Sequence, residues 1–97
     1  MVNAKSYSSI KKIRERLDEI KAIREVVSDA LKLYLHELFK INNKHHLEHG
    51  DDVTLAEIRV DIERTEKALD ELFTEELVLK MEISSREKEE QAQNQPS

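Results

Sequence analysis

KHHLEHGDDVTLAE, residues 44–57, holds three of the chain's four histidines and its only glycine. The fold turns on whether this stretch is a chemical site or the place where a helix reverses. Thr54-Leu55-Ala56-Glu57 has the spacing of a capping box, in which the Thr54 hydroxyl and the Glu57 side chain each satisfy a free amide at a helix start. Val53 and Ile58 flank it as a hydrophobic staple would, and Asp51 and Asp52 fall where the positive end of a helix dipole favours anions. Upstream, Asn42, Asn43 and Gly50 are residue types that accept left-handed backbone and so end helices. The spacing therefore predicts a turn over 43–53, made by His45, His46, His49, Gly50, Asp51 and Asp52 among others, with a second helix from about 54.

Outward from the turn, apolar residues recur at alternating steps of three and four. Before it come Ile10, Ile13, Leu17, Ile20, Val27, Leu31, Tyr34, Leu38 and Ile41, with Arg24 as the exception. After it come Leu55, Ile58, Ile62, Leu69, Leu72, Leu79 and Ile83, with Thr65 and Glu76 completing the pattern. This is the seam of a coiled coil. Neither run contains Gly or Pro, the residues most costly inside a helix. The chain is expected to be all-α, an antiparallel coiled-coil hairpin spanning 1–86, with helix one at about 6–42 and helix two at about 54–86. Residues 87–97, with no apolar side chain larger than Ala92, are expected to be a fraying or disordered tail.

Folding back about the turn sets seam residues opposite each other when their numbers sum to 96, as Leu17 with Leu79 and Ile13 with Ile83. The same register brings Arg24 within one layer of Glu76, so two charged seam residues could pair and fix alignment. It also sets the basic start of helix one against Glu82, Glu87, Glu89 and Glu90. Opposite charges four apart, at Lys11/Glu15, Arg14/Asp18, Lys21/Glu25, Arg59/Glu63 and Glu63/Lys67, add a few tenths of a kcal/mol each.

A single seam leaves much apolar surface unused. Ile23, Val26, Ala30, Leu33, Leu35 and Phe39 lie off it in helix one, and Val60, Phe73, Leu77, Val78 and Met81 in helix two. A chain of 97 residues buries little surface alone, and the usual remedy is association of two hairpins in a four-helix bundle. Ile23, Val26, Ala30, Leu33, Leu35, Phe39, Phe73 and Leu77 are the expected interface. Because the surplus is densest near the turn, two hairpins aligned lengthwise are expected to build the dimer core from their turn-proximal halves, with the termini splayed or free.

Composition narrows the function. Without cysteine, thiolate catalysis, Cys-ligated zinc and disulfides are all excluded, and a reducing cytoplasm is the expected compartment. The first twenty residues hold no apolar run of signal-peptide kind, and no run anywhere approaches a membrane span. The net charge of −5 conceals an asymmetry, with ten Lys/Arg against seven acids in 1–50 and six against fourteen in 51–97. Such halves attract each other. Lys5, Lys11, Lys12, Arg14 and Arg16 are the best candidate for the concentrated basic face that nucleic-acid binding needs, and the reading preferred for them is a solvated helix end, which makes nucleic acid an unexpected partner.

His45-His46-Leu47-Glu48-His49 matches H-x-x-E-H and so resembles the zinc motif of the inverted zinc metallopeptidases, which would imply a metal at His45 and His49. IKKIRERLDEI, residues 10–20, resembles the opening helix of the small all-helical chorismate mutases, with Arg14 at the substrate-binding arginine. Where that family places its further cations this chain has Leu31 and Asn42. One glycine also excludes a phosphate-cradling loop. The length and central turn look like the helical hairpins of type VII secretion, although Glu48-His49-Gly50 stands where many of them have Trp-x-Gly. HGDD at a hairpin end resembles the acidic tip of Gre-type transcript cleavage factors, which would make Asp51 and Asp52 residues that reach into RNA polymerase. The expectation adopted is a non-enzymatic interaction module, an adaptor, chaperone or regulator. It takes no cofactor or metal and partners itself and an unidentified protein. The type VII hairpin and the polymerase-binding finger are the alternatives.

Overall fold

Ser9 opens the first helix. Its backbone is extended (φ −152°, ψ 159°) and its hydroxyl accepts from the Lys12 amide at 3.2 Å, satisfying one of the free amides of a helix start. Helix α1 then runs from Ile10 to Asn42, 33 residues. The computed structural model describes residues 7–44 and 46–94, so of the expected start at 6 the first residue lies outside the described residues. Ser9 explains why α1 begins later than that: its side chain competes for the helix and serves better as its cap.

The end of α1 falls where expected, by a different device. Asn43 is not left-handed (φ −97°, ψ 7°); its backbone amide and its side-chain amide both donate to the Phe39 carbonyl, at 3.1 and 2.9 Å. Among the described residues only Gly50 has positive φ, at 96°. The Asp51 amide donates to the Glu48 carbonyl at 3.1 Å, so Gly50 is the third residue of a tight turn whose geometry requires positive φ there. Gly50 has open space where a Cβ would stand, so backbone conformation rather than crowding selects glycine.

Helix α2 spans Asp51–Asn94, 44 residues. It begins three residues before the expected 54, and the Thr54–Glu57 capping box does not form. The Thr54 amide and hydroxyl both donate to the Gly50 carbonyl, at 3.1 and 3.2 Å, so Thr54 already sits inside the first turn. Val53 is 62% exposed, so it is no staple for buried Ile58. At the other end α2 continues through 87–94, expected as tail. Glu, Lys, Gln and Ala are strong helix formers, and Arg14 holds Glu87 at 3.0 Å. Residues 95–97 of the expected tail lie outside the described residues.

The two helices lie antiparallel in an elongated hairpin of 76 × 19 × 17 Å. Ile13, Ile20 and Leu79 are wholly buried, with Leu17, Leu72, Ile83 and Tyr7 packed against them. Two of the expected pairs, Leu17/Leu79 and Ile13/Ile83, thus share one cluster. Arg24 pairs with Glu76 as the register requires. Near the turn, Ile41 and Ile58 are buried too, at 7% and 9% exposure. The wholly buried cluster lies at the end of the hairpin away from the turn. It is reinforced by Arg86, which donates to the Tyr7 carbonyl at 2.9 Å. Those contacts join residues at opposite ends of the chain, so no local pattern announces them.

Charge follows the asymmetry of the halves. Arg14–Glu87, Arg16–Glu75 and Arg24–Glu76 all run from a cation on α1 to an acid on α2. The expected pairs four apart close differently. Lys12–Glu15, Arg16–Glu19, Lys80–Glu76 and Arg86–Glu82 form instead, so Glu82 is taken within its own helix. Among the described residues no buried side-chain N or O lacks a hydrogen-bond partner; Thr65, on the seam, donates to the Asp61 carbonyl at 2.6 Å.

Leu79→Ala is expected to destabilise the chain by about 2–4 kcal/mol in urea unfolding, since it leaves a cavity in the buried cluster. Val53→Ala should stay within about 0.5 kcal/mol of the parent. Equal costs would contradict this placement of the core.

Candidate functional site

The turn is held by one carboxylate. Asp51, only 8% exposed, accepts from the Glu48 amide at 2.6 Å and from Lys44 Nζ at 3.2 Å and 3.3 Å. It thus closes the turn backwards, from the helix onto the connector, whereas the sequence pattern places the capping residue at Thr54. The Glu48 amide, then Lys44, lower the Asp51 pKa below the usual carboxylate range. Glu76 is also held low, first by the hydrogen bond from Lys80 and then by Arg24. Both depressed carboxylates contribute stability that is present above the usual carboxylate range and lost as pH falls through their lowered values.

The remaining turn residues do not assemble. His46, His49 and Asp52 are exposed, and His45 lies outside the described residues. The zinc motif that HHLEH resembles sits on a helix, which sets residues four apart on one face. Here α1 ends at Asn42 and α2 starts at Asp51, so Glu48 and His49 lie in the connector. Among the described residues no group of three or more His, Cys, Asp or Glu is placed to hold a metal. Asp51, one of the two acids of the polymerase-finger resemblance, has its oxygens engaged within the turn.

The apolar surplus is where the structure offers a surface. Val26, Leu33 and Phe39 are 70%, 67% and 66% exposed; Ile23, Leu35, Phe73 and Leu77 are also exposed and Ala30 is half-buried. These eight residues do not form one face. Cross-helix ion pairs mark the two edges of the seam: Arg16–Glu75 on one, Arg14–Glu87 on the other. Two heptads from Arg16 give Ile23 and Ala30; three from Arg14 give Leu35; two back from Glu87 give Phe73. Residues a heptad apart share a side, and each side lies roughly 100° round the helix from the seam.

One side therefore carries Ile23, Val26, Ala30 and Leu33, and the other carries Leu35, Phe39, Phe73 and Leu77. The first side has a groove of about 870 Å³ between the helices, lined by Ile23, Val27, Ala68, Leu72 and Val78, with Arg16 and Glu75 at its edge. Arg16 meets Glu75 in a two-pronged contact, Nε–Oε1 at 2.7 Å and a second guanidinium nitrogen to Oε2 at 3.0 Å. That bond, then one to Glu19, raises the Arg16 pKa further above its usual value and keeps the groove edge charged. The division into sides was available in the sequence through the seven-residue spacing. The Arg16–Glu75 and Lys44–Asp51 pairs were not, because the first depends on how two distant segments meet and the second on the path of the connector between the helices.

No family model, curated protein or solved structure matches the chain. Among the described residues no helix is long and apolar enough to cross a membrane.

Asp51→Asn should lower the melting temperature near neutral pH and flatten the loss of stability between about pH 6 and pH 2, read from thermal melts. Parallel curves for parent and variant would show that Asp51 contributes nothing to acid sensitivity. Changing His45, His46 and His49 together to Ser should leave helicity and melting temperature nearly unchanged, with or without zinc. A zinc-dependent rise of several degrees that disappears in the triple variant would restore the metal reading.

Proposed function

We propose that the chain is a non-enzymatic helical interaction module, an adaptor, chaperone or regulator of the cytoplasm, that acts as a homodimer. The observation that carries this reading is the amount of apolar surface a two-helix layer leaves wet. Val26, Leu33 and Phe39 are each about two-thirds exposed, at helical spacings that make patches rather than scattered single residues. Contiguous apolar stripes a quarter-turn from a seam are what a second layer of helices covers in a four-helix bundle. Partner binding then uses the side that self-association leaves open. The polymerase-finger alternative draws less support, because Asp51 is taken up by Lys44 and the Glu48 amide.

Sedimentation equilibrium at micromolar concentration is the direct check. A species near twice 11.4 kDa is expected. A compact, fully helical monomer would overturn the homodimer and with it the reason for assigning the exposed residues to an interface.

A further inference from the structure

Resting on that homodimer reading, we infer which side of the hairpin the second copy covers and in what direction. It docks on the groove side, α1 against α1 and antiparallel, about a twofold axis beside Val26 and Ala30, so that the two turns lie at opposite ends of the bundle.

The first ground is a stripe that reads the same both ways. Along the groove side of α1, at steps of three and four, stand Arg16, Glu19, Ile23, Val26, Ala30, Leu33, Glu37 and Lys40. That is cation, acid, four apolar residues, acid, cation. The charged ends are already paired within the helix, Arg16–Glu19 at 3.0 Å and Lys40–Glu37 at 3.4 Å. In an antiparallel contact about this axis, residues whose numbers sum to 56 face each other. Ile23 then meets the partner's Leu33, and Val26 meets the partner's Ala30. At the ends Arg16 faces the partner's Lys40 and Glu19 the partner's Glu37, like charges that are each neutralised within their own helix, so the apolar centre carries the contact. Apolar residues that fall on apolar residues under the twofold rotation give the centre of the stripe the self-complementarity that such a contact needs.

The second ground comes from α2, which the stripe did not use. The hairpin register carries the axis from the level of residue 28 on α1 to Ala68 on α2. Ala68, which lines the groove, then faces its own copy with a side chain small enough for close approach of the two α2 helices. The same axis brings Arg64 within one residue step of the partner's Glu71. Neither Arg64 nor Glu71 has an ion-pair partner among the described residues, and seven positions apart on one helix they are about 10 Å distant along it, too far to pair with each other. Across the axis their charges are complementary, twice over.

The groove gains an occupant as well. At the level of Ile23, between α1 and α2, it receives the partner's Leu33, which is 67% exposed in its own hairpin. The rival arrangement, with both turns at one end, lays α1 of one copy over α2 of the other. It would press the Ile23–Leu33 stripe onto Arg64 as well as onto Glu71, which lines the groove in either arrangement, burying a further charge against apolar side chains.

The test uses the full chain, which has no cysteine of its own. A spin label on Lys12→Cys should report an interchain separation near 48 Å, the axial span of about 32 helical positions, where the same-end arrangement gives under about 20 Å. In sedimentation, Leu33→Glu should weaken dimerisation by about 100-fold or more, while Phe39→Glu, on the other side, should change it less than about threefold. Arg64→Glu should weaken the dimer and the exchange Arg64→Glu with Glu71→Arg should restore it. A dimer indifferent to Leu33→Glu, or labels close together, would overturn this docking while leaving the homodimer intact. A parent chain that is monomeric throughout would overturn the homodimer reading itself.

Discussion

Two helices can touch each other along one line only, and that limit governs the molecule. Along the line, Ile13, Ile20 and Leu79 are the described residues from which water is wholly excluded, and each contributes roughly the transfer free energy of a buried aliphatic side chain, about 1.5–3 kcal/mol. Away from it none of the described residues stands over the side faces. The exposed Val26, Leu33, Phe39 and Phe73 are thus a consequence of the architecture rather than a lapse in it. A small chain built this way gains further burial only from a second layer of helices, whether its own copy or another protein.

Charge decides how the seam is aligned. A seam of Ile and Leu could slip by a heptad with modest loss of packing. Arg16–Glu75, Arg24–Glu76 and Arg14–Glu87 would all be broken by such a slip, and Glu75, at 8% exposure, would be left a nearly buried carboxylate without its cation. The turn adds its own constraint, since Lys44–Asp51 and the positive φ of Gly50 fix where the reversal occurs.

The all-helical hairpin, its direction and its register were legible because a seam repeats: many residues vote on one period, and errors at Arg24, Thr65 or Glu76 do not change it. Single-residue devices were less legible. Thr54 satisfies the capping pattern, yet Asp51 three residues earlier can also close onto the chain before it, and only the positions of Glu48 and Lys44 decide between them. Asn43 was expected to end α1 through left-handed backbone and ends it through its side-chain amide, an outcome both chemistries of asparagine permit. The exposed apolar residues were each recognised as lying off the seam. Their division into two sides follows from the seven-residue spacing, but which side holds the groove depends on how α1 and α2 meet, as the ion pairs between residues some sixty or seventy positions apart do.

The claim on which all else rests is that α1 and α2 of one chain close on each other in the register that sets Ala22 beside Thr74. Spin labels at cysteines replacing these two outward-facing residues, measured in labelled chain diluted with unlabelled chain, test it directly. Closure predicts a separation of about 20–30 Å, set by helices packed 8–10 Å apart with the labels on their outer sides. A separation above about 60 Å, the reach of an opened or exchanged pair of helices over the same stretch, would contradict the hairpin.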